Sequence, residues 1–495
     1  MIPEKNSQQI IEIESVTAKG FGVGYIDGFT MFVDGALPGD KLKIHVLKAK
    51  SRYGYGKIIE IISPSPHRIE SPCPVFNRCG GCQWQNCEYS AQLGFKKQIV
   101  IDALERIGRV KKPPVLDVIG HPQLPPLNYR NKAVFPIVPA DNQHGFAIGM
   151  FSARSHRIVE IENCNIQHPA HVAVLKAAKK YMRRNKISPY DETTHRGLMR
   201  FVMIRTSAPP QSGCCDSSRP PGQRACAREG LATGEVMVVL TINADKLPLE
   251  DKLAQDLEDA GATTVVISRH TAKNNLVLGS SFRVLSGSGF IRERIGHVTY
   301  QISAPSFFQI NPVQTKALYE MAVSQAKLTG NETILDAHVG AGGVSLYAAK
   351  HTKKIIGVDI VQQAIDDGKK NAAINGITNM QFLCGAAEEV VPKLFSSGDG
   401  ESPLENIPDI VFLDPPRKGC DPVLLNALIS AQIEKIVYIS CDPATFARDV
   451  KILTEGGYSL VTVQPVDMFP HTGKVEVSAL LLMDTLYKSS NFGSL

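Results

Sequence analysis

Residues 333–343, TILDAHVGAGG, place a short apolar run, an acidic residue and a glycine-rich turn in direct succession. The apolar run predicts a buried strand, and Asp336 marks its carboxyl end. Glycine lets the backbone approach a ligand closely, so the turn is typical of loops that bind nucleotide-type cofactors. Several kinds of cofactor use such loops, and this stretch alone does not separate them.

Strand and helix patterns alternate from this loop to near the end of the chain. The predicted strands are Thr333–Asp336, Lys354–Val358, Met380–Cys384, Ile410–Leu413, Ile436–Ser440, Ser459–Val463 and Glu476–Leu482. This alternation predicts an α/β fold with a doubly wound, Rossmann-like sheet. The second strand is followed by Asp359, whose carboxylate is placed to accept hydrogen bonds from ribose hydroxyls. Because no phosphate-cradling lysine motif is present, the pattern favours an adenosyl cofactor.

Three later strands bring reactive side chains to the same predicted sheet edge. Asp414 and Arg417 follow one of these strands, Cys441 follows the next, and Glu476 begins the last. Ligands of open α/β sheets bind at the carboxyl ends of the strands, so these groups are expected to share a crevice. A single cysteine after a strand is more often an inert core residue. The acidic strand end and the glycine loop favour a nucleophile instead.

A thiol and a carboxylate together suit one demanding reaction, the alkylation of C5 in a uracil ring. A thiolate that attacks C6 gives C5 carbanion character, so that C5 can accept a methyl group from S-adenosylmethionine, which is therefore favoured over NAD. A base must then remove the C5 proton so that the thiolate can leave. Cys441 is the predicted nucleophile and Glu476 the predicted base. A cytosine-C5 methyltransferase would share the thiol attack, but its nucleophile typically follows a proline, whereas here Pro443 comes after the cysteine.

The N-terminal segment, residues 4–63, has five short strand patterns separated by glycine turns. This spacing predicts a small OB-like β-barrel. Lysines and arginines between 41 and 57 make one edge basic, and Tyr53 and Tyr55 alternate with glycines. Such an edge suits single-stranded RNA through base stacking and phosphate contacts, although a solvated basic face is the alternative.

Residues 64–300 predict a mixed α/β central region, and residues 301–485 the doubly wound domain. Segment 64–72 is a predicted linker, a helix is expected from about Tyr89 to Ile107, and residues 208–231 form an expected loop insert without chemistry. Four of the 11 cysteines crowd together at Cys73, Cys79, Cys82 and Cys87. In a chain that lacks a secretory signal or an apolar membrane span, such clustering indicates metal or redox chemistry rather than disulfides.

These motifs together resemble the RNA uracil-C5 methyltransferase family, in its 23S ribosomal RNA branch. The N-terminal barrel is similar to that family's TRAM domain. The resemblance implies that a [4Fe-4S] cluster is held by four cysteines, with the fourth far downstream: Cys73, Cys79, Cys82 and Cys164. Zinc bound by the same cysteines is the alternative.

The resemblance also implies roles for residues around the glycine loop. The motif at 307–311, FFQIN, would bring Gln309 to S-adenosylmethionine. The remaining cofactor residues implied by the family motifs are His338, Gly343, Asp359 and Asp414. From the residues alone, Gln309 could instead belong to a buried aromatic joint, with Asn311 capping the next helix.

The chain also departs from the family pattern at several positions. Ala337, His338 and Val339 replace the usual middle of the glycine loop, Ala386 lacks a polar side chain, and Gly473-Lys474 replaces a small residue and histidine. The expected function is methylation of a 23S ribosomal RNA uridine in the cytoplasm, with no membrane or protein partner. The alternatives are a transfer RNA uracil-C5 methyltransferase and a non-catalytic RNA-binding assembly factor. The net charge of +6 fits an RNA partner without requiring one.

Overall fold

The computed structural model describes residues 2–208, 234–396 and 407–484. All but residue 208 of the expected insert, and all of the tail at 486–495, lie outside the described residues. Within the described ranges, none of the helices combines the length and the apolar character needed to cross a bilayer.

Five strands close into the predicted barrel at the N-terminus. They are β1 (Gln8–Val16), β2 (Gly22–Ile26), β3 (Phe29–Val33), β4 (Lys41–Ala49) and β5 (Tyr53–Ser63). The barrel closes in the order β1-β2-β3-β5-β4, with β3 and β5 parallel and the other neighbours antiparallel. Its interior is aliphatic, with Met31, Val33, Leu42 and Ile44 fully buried. The alternation of buried and outward side chains places Phe29 in the core and leaves Phe32, Tyr53 and Tyr55 outside it.

The central region is a seven-stranded mixed sheet covered by two helices. Its strands are β6 (Lys132–Pro139), β7 (Phe146–Phe151), β8 (Ile158–Glu160), β9 (Met199–Thr206), β10 (Val236–Ile242), β11 (Thr264–Arg269) and β12 (Ser281–Ser286), and the helices are α2 (Ala170–Arg184) and α3 (Glu250–Asp259). The strand order is β12-β11-β10-β9-β6-β7-β8, and only β10 and β11 run parallel. Before this sheet, α1 (Tyr89–Arg106) forms where a helix was predicted.

A hairpin of β13 (Phe290–Ile295) and β14 (Val298–Ser303) joins the central sheet to the C-terminal domain. The boundary expected between residues 300 and 301 falls inside β14. Ile291 and Tyr300 of the hairpin are buried in the same hydrophobic cluster as Ile334 of the C-terminal sheet. The hairpin therefore packs with the C-terminal domain, because its apolar face completes that domain's core.

The C-terminal domain is a seven-stranded sheet with the predicted doubly wound layout. Its strands are β15 (Thr333–Asp336), β16 (Lys354–Asp359), β17 (Met380–Cys384), β18 (Ile410–Leu413), β19 (Lys435–Ser440), β20 (Tyr458–Val466) and β21 (Glu476–Met483). Its helices are α4 (Pro312–Ala326), α5 (Gly343–Ala348), α6 (Gln362–Ile374), α7 (Ala387–Ser396), α8 (Pro422–Ser430) and α9 (Pro443–Glu455). The strand order is β17-β16-β15-β18-β19-β21-β20.

Strand β21 runs antiparallel to the first five strands of this sheet, and its direction determines where the candidate site forms. Strands β15 to β19 are parallel, whereas β21 enters antiparallel between β19 and β20. The first residue of an antiparallel strand lies at the edge where the parallel strands end. Glu476, the first residue of β21, therefore lies at the same edge as the residues that follow β18 and β19.

A buried ion pair fixes the segment that leads into β21. Lys96 of α1 donates to a carboxylate oxygen of Asp467, and both side chains are fully buried. Lys96 also donates to the carbonyl oxygen of Phe469 at 3.0 Å, and the Tyr89 hydroxyl donates to the second Asp467 oxygen at 2.8 Å. Burial lowers the pKa of Lys96, and the charge of Asp467 opposes this shift. Because these groups satisfy one another, the pair ties α1 firmly to the C-terminal sheet.

Replacing Lys96 by methionine should destabilise the protein by roughly 3–5 kcal/mol, because Asp467 would be left as a buried charge without its cation. The double variant Lys96→Met/Asp467→Asn should recover part of this loss. The matched control is Lys97→Met, because Lys97 pairs at 2.7 Å with Asp117, whose side chain is 96% exposed; exposed pairs contribute about 0–1 kcal/mol. Urea unfolding followed by circular dichroism checks all three, and equal losses for Lys96→Met and Lys97→Met would contradict the account.

Candidate active site

Cys441 and Glu476 meet because of the register between β19 and β21. Ser440, the last residue of β19, pairs with Val477, the second residue of β21, so the two functional residues occupy neighbouring positions at the sheet edge. Asp442 caps α9 directly after the cysteine, and its side chain accepts hydrogen bonds from Ala444 N at 2.9 Å and Thr445 N at 3.3 Å. The thiol thus sits in a tight strand-to-helix turn with little freedom to move.

Two carboxyl groups face the thiol, and both hold protons more strongly than usual. Burial, and then the charge of Asp414, raise the pKa of Glu476 to about 8. Burial, and then the charge of Asp336, raise the pKa of Asp414 to about 7. Acidic residues with shifted pKa values in one crevice are a common feature of catalytic sites. Near neutral pH this arrangement can both accept and release protons.

Two cations oppose the negative charge of these acids. The charges of Arg417 and Lys474 both work against the increase in the Glu476 pKa. Burial is the main cause that lowers the pKa of Lys474, followed by the charges of Arg417 and Arg130. The Lys474 ammonium also lies 5.7 Å from the centre of the Phe469 ring. The crevice therefore combines acids that can exchange protons with cations suited to a phosphate or a developing enolate.

The thiol of Cys441 is half-buried and protonated in the free protein. Burial, and then the charges of Glu476 and Asp414, raise its pKa to about 11, whereas the charge and a hydrogen bond of Arg417 oppose this increase. A thiolate is the reactive form of cysteine, so these surroundings favour the less reactive form of Cys441.

The glycine loop is held by two acidic residues at strand ends. Asp336 accepts hydrogen bonds from Ser345 Oγ at 2.6 Å and from His338 N at 3.1 Å. Asp359 accepts from Gly340 N at 3.0 Å and from Val361 N at 2.8 Å. Gly340 and Gly342 have φ values of 54° and 102°, which residues with a Cβ rarely adopt. The loop is thereby fixed in an open curve at the end of β15.

The remaining predicted cofactor residues line the same end of the sheet. His338 follows Asp336, burial lowers its pKa to about 4, and its Nδ1 is buried without a hydrogen-bond partner among the described residues. Gly343 begins α5, and its carbonyl oxygen accepts from the Tyr300 hydroxyl at 2.8 Å. Phe308, next to the buried Gln309, packs on the Tyr300 ring with centroids 5.3 Å apart. An unpartnered neutral imidazole beside an open glycine loop fits the donors and acceptors of an adenosyl group.

The aromatic joint considered for residues 307–311 forms only in part. Phe308 is buried, but the neighbouring Phe307 is 76% exposed. Asn311 does cap α4, since its Oδ1 accepts from Gln314 N at 3.4 Å. The alternative of a wholly buried aromatic pair is therefore wrong at Phe307, whereas the predicted helix cap is confirmed.

The four cysteines assigned to a cluster lie around one cavity. Cys73, Cys79, Cys82 and Cys164 all line it, whereas the side chain of Cys87 is buried elsewhere among Trp84 and Ile99. The sulfur of Cys79 accepts from Gly81 N at 3.4 Å, and that of Cys82 accepts from Gln85 Nε2 at 3.3 Å. Across the described ranges, no three His, Cys, Asp or Glu side chains converge closely enough to hold a single metal ion.

The segment 73–87, which we call the cysteine segment, is hydrogen-bonded directly to the loop that leads to Glu476, the predicted base. The amides of Gln83 and Trp84 both donate to the carbonyl oxygen of His471 at 3.0 Å. Gln92, fully buried on α1, accepts from His471 N at 2.9 Å and donates to Trp84 O and Cys87 O, each at 2.9 Å. His471 has a φ of 65°, a conformation that these bonds help to hold.

Two residues of the site escaped the sequence analysis. The Tyr319 hydroxyl is buried within electrostatic reach of Asp414, Asp336 and Glu476, and burial raises its pKa strongly. Arg130 lines the cysteine cavity and also lies close enough to lower the pKa of Lys474. In the sequence, residues 129–136 combine basic residues with an apolar strand pattern. This pattern does not indicate which distant elements these residues contact.

Family comparisons agree with this geometry. Residues 247–484 match the family model described as tRNA (Uracil-5-)-methyltransferase, and residues 4–59 match the TRAM domain model. An uncharacterized RNA methyltransferase of Halalkalibacterium halodurans is 40% identical over 96% of this chain and 97% of its own length. A second relative, from Bacillus cereus, is 38% identical over 97% of both chains.

A solved structure shares nearly the whole architecture. The Pyrococcus abyssi tRNA (uracil-54, C5)-methyltransferase in complex with S-adenosyl-L-homocysteine aligns with a TM-score of 0.71 and 25% identity, covering 96% of this chain and 100% of that chain. The chain therefore belongs to the S-adenosylmethionine-dependent RNA uracil-5 methyltransferase family, and it is an enzyme rather than a non-catalytic RNA-binding factor.

Alkylation of Cys441 by iodoacetamide should accelerate about tenfold between pH 9 and 10, because only the thiolate reacts and its pKa is about 11. From pH 7 to 9 the increase should be less steep, because the ionisation of Glu476 raises the thiol pKa. Glu476→Gln should leave the rate unchanged at pH 6.5, where Glu476 is already neutral, and raise it at pH 9, where the wild-type carboxylate repels the thiolate. Mass spectrometry of the Cys441 peptide measures the rate.

The exposed Cys384 provides an internal control, since it lies on β17, away from Glu476 and Asp414. Its labelling rate should be the same in both proteins at each pH. A Cys441 rate that is already maximal at pH 7 would show that the free enzyme holds a thiolate, contrary to this reading.

Proposed function

We propose that this enzyme methylates C5 of a specific uridine in 23S ribosomal RNA, giving 5-methyluridine, through a covalent bond between Cys441 and C6 of the base. The observation that carries the proposal is the pairing of β19 with the antiparallel β21, which brings a half-buried thiol beside a buried glutamate of raised pKa. A covalent nucleophile and a separate base are the two groups that this substitution requires.

Each bond change has a residue suited to it. The Cys441 thiol first gives its proton to the Asp414 carboxylate or to solvent; the thiolate Sγ then adds to C6, and the electron pair of the C5–C6 π bond becomes available at C5. The methyl group that bonds to C5 would come from S-adenosylmethionine. S-adenosylhomocysteine would then be the leaving product. Glu476 then takes the C5 proton, the C5–C6 double bond re-forms, and the C6–S bond breaks to return the electron pair to sulfur. Arg417 and Lys474 are suited to stabilise the enolate oxygen or a neighbouring phosphate while the negative charge is present.

The residues at the end of β15 and β16 are our candidates for binding the methyl donor. Asp359 is suited to accept hydrogen bonds from ribose hydroxyls, and the backbone at Gly343 can approach the ligand closely. His338 offers its free Nδ1, and Gln309 an amide, for further hydrogen bonds. Asp414, between this loop and Cys441, would contact either the donor or the target base. Ala386 cannot supply the polar side-chain contact that the family often has at this position, so these neighbouring groups gain importance.

We also propose that Cys73, Cys79, Cys82 and Cys164 hold a [4Fe-4S] cluster. All four thiols line one cavity. Four thiolates suit a [4Fe-4S] cluster, and the resemblance to the ribosomal branch of the family is the reason that we favour this cluster over zinc. Free thiols of this kind suit the reducing cytoplasm, where we place the reaction.

Transfer RNA is the second candidate substrate, because the structural neighbour from Pyrococcus abyssi acts on tRNA and covers nearly the whole chain. The TRAM barrel and the four-cysteine segment, by their resemblance to the ribosomal branch, favour ribosomal RNA.

Incubation with labelled S-adenosylmethionine and unmodified 23S ribosomal RNA should give 5-methyluridine at one position, detected by nucleoside mass analysis. The variant Cys441→Ala should lose roughly 10⁴-fold or more in rate, as expected when a nucleophile is removed. Cys384→Ala removes a second thiol and should lose far less activity than Cys441→Ala, because only Cys441 is proposed to bond to C6. Methylation of tRNA but not of 23S RNA would show that tRNA, and not ribosomal RNA, is the substrate. Formation of methylcytidine would overturn the assignment of uracil as the target base.

Protein purified without air should contain about four irons per chain and absorb near 400 nm if the cluster proposal holds. Cys164→Ser should lose this absorbance, whereas Cys87→Ser should retain it. Stoichiometric zinc without iron would contradict the proposal.

A further inference from the structure

The loop that carries Arg417 to the active site has few means of holding itself in place. Residues 414–420, DPPRKGC, lie between β18 and α8 and contain neither helix nor strand. Proline lacks an amide proton, so Pro415 and Pro416 cannot donate hydrogen bonds to fix the backbone. Inside the loop, Gly419 N donates to Pro416 O at 2.8 Å. The position of Arg417 therefore depends on groups outside the loop.

Helix α9 directs two hydrogen-bond donors at the backbone of this loop. Thr445 Oγ1 donates to Arg417 O at 3.2 Å. Arg448 Nη2 donates to Lys418 O at 3.0 Å and to Cys420 O at 3.1 Å. Residues three apart lie on the same face of a helix, so both side chains reach the loop from one surface. Three carbonyl groups in a row of four residues are thus bound by α9.

The third side chain on this face of α9 is the fully buried Asp449. Its Oδ2 accepts from Cys420 N at 2.8 Å and from the Tyr438 hydroxyl at 2.6 Å, and its Oδ1 accepts from Arg448 Nε at 2.8 Å. A buried carboxylate is costly unless it is paired and hydrogen-bonded, and these three donors meet that need. We call Thr445, Arg448 and Asp449 the loop clamp.

The loop clamp lies so close to the loop that a side chain at position 419 would not fit. Gly419 has a φ of 76°, and a Cβ there would lie 2.5 Å from Arg448 Nη2 and 2.6 Å from Asp449 Oδ2. Glycine alone allows this approach without strain. The loop therefore rests directly on the two charged side chains.

The same helix begins beside the nucleophile. Cys441 comes two residues before Pro443, the first residue of α9, and the loop clamp occupies the first two turns of that helix. Leu413 of β18 pairs with Tyr438 of the parallel β19, so the segments that follow the two strands leave the sheet side by side. There Arg417 hydrogen-bonds the Cys441 thiol, and its positive charge opposes the increase in the thiol pKa.

We propose that the loop clamp consists of positioning residues, which fix loop 414–420 so that the Arg417 guanidinium stays beside the Cys441 sulfur. The clamp binds the loop backbone and acts on the thiol only through Arg417. This inference deepens the proposed function and rests on it for the role of the thiolate in the attack on C6. One helix thereby holds both the nucleophile and the cation that favours its charged form.

The direct test is the alkylation of Cys441 by iodoacetamide at pH 9, measured on the full chain without RNA. Arg417→Met should slow alkylation about threefold, because loss of a cation raises the thiol pKa by about one unit, while a less acidic thiolate is the better nucleophile. Arg448→Met and Gly419→Ala should each slow it about twofold, since both let the loop move while Arg417 remains.

A double-variant cycle decides whether the clamp acts through Arg417. Arg448→Met, added to Arg417→Met, should slow alkylation no further, because without the guanidinium the position of the loop no longer affects the thiol. The same result is expected when Gly419→Ala is added to Arg417→Met. Gly419→Ala changes no charge, so it separates movement of the loop from the loss of a cation on α9.

Lys451→Met is the matched control, because it removes the same charge from the same helix. Lys451 pairs with Glu455 at 3.7 Å, within α9 and away from the loop. This variant should alkylate at Cys441 like the wild type. Cys384 should react at one rate in every variant, and all rates are measured well below the Tm that circular dichroism gives for each protein.

The inference and the proposed function can fail separately. A lowered Tm with a wild-type alkylation rate in Arg448→Met and Gly419→Ala would show that the clamp only stabilises the fold, and would overturn the inference. So would an unchanged rate in Arg417→Met, or effects of Arg417→Met and Arg448→Met that multiply in the double variant. If the cycle gives the expected rates but no 5-methyluridine forms from substrate RNA, the proposed function alone is wrong.

Discussion

The segment 467–476 is the part of the molecule on which the rest depends, and it is fixed by groups from the opposite end of the chain. The buried pair of Lys96 and Asp467 holds its beginning. Two amides of the cysteine segment and the side chain of Gln92 hold His471. The barrel contacts Gly473. Glu476, the proposed base, is thus positioned through contacts with three separate parts of the fold.

The chemistry follows from charge gathered in this small space. Burial, and then the charges of Glu476 and Asp414, raise the pKa of the thiol. Burial with the charge of Asp414 raises the pKa of Glu476, and burial with the charge of Asp336 raises that of Asp414. Arg417 and Lys474 offset that repulsion only in part. A resting thiol is protected from oxidation, because the thiolate is the form that reacts. The pKa of Glu476 is about 8, so this carboxyl, once ionised, is suited to take up the C5 proton late in the proposed reaction.

The sequence predicts the local elements well, because their signals are local. The glycine turns of the barrel, the strand series from Thr333 onward and the start of α1 all follow from short-range pattern. Two features depend on pairing between distant segments and therefore escaped: the antiparallel insertion of β21, and the packing of the hairpin at 290–303 on the C-terminal core. An apolar strand pattern carries no direction, so the sequence did not show that β21 runs antiparallel to its neighbours.

The residues of the candidate site also divide into those that a sequence motif identifies and those that only tertiary contacts identify. Motif residues such as Cys441 and Asp414 could be named in advance, whereas Tyr319 and Arg130 carry no motif and act through tertiary contacts. Tyr53 and Tyr55 were expected to face RNA because they alternate with glycines. Phe21 and Phe32 were not, since only the closed barrel brings them beside the tyrosines.

The central claim is that Cys441 bonds to the target uridine and that Glu476 releases it. The most direct measurement is mass analysis of the variant Glu476→Gln after incubation with substrate RNA and S-adenosylmethionine. The account predicts a denaturation-resistant complex in which the Cys441 peptide carries a methylated uridine, because the C5 proton stays in place and the sulfur cannot leave. Free 5-methyluridine at the wild-type rate without such a complex, or an adduct on another cysteine, would contradict it.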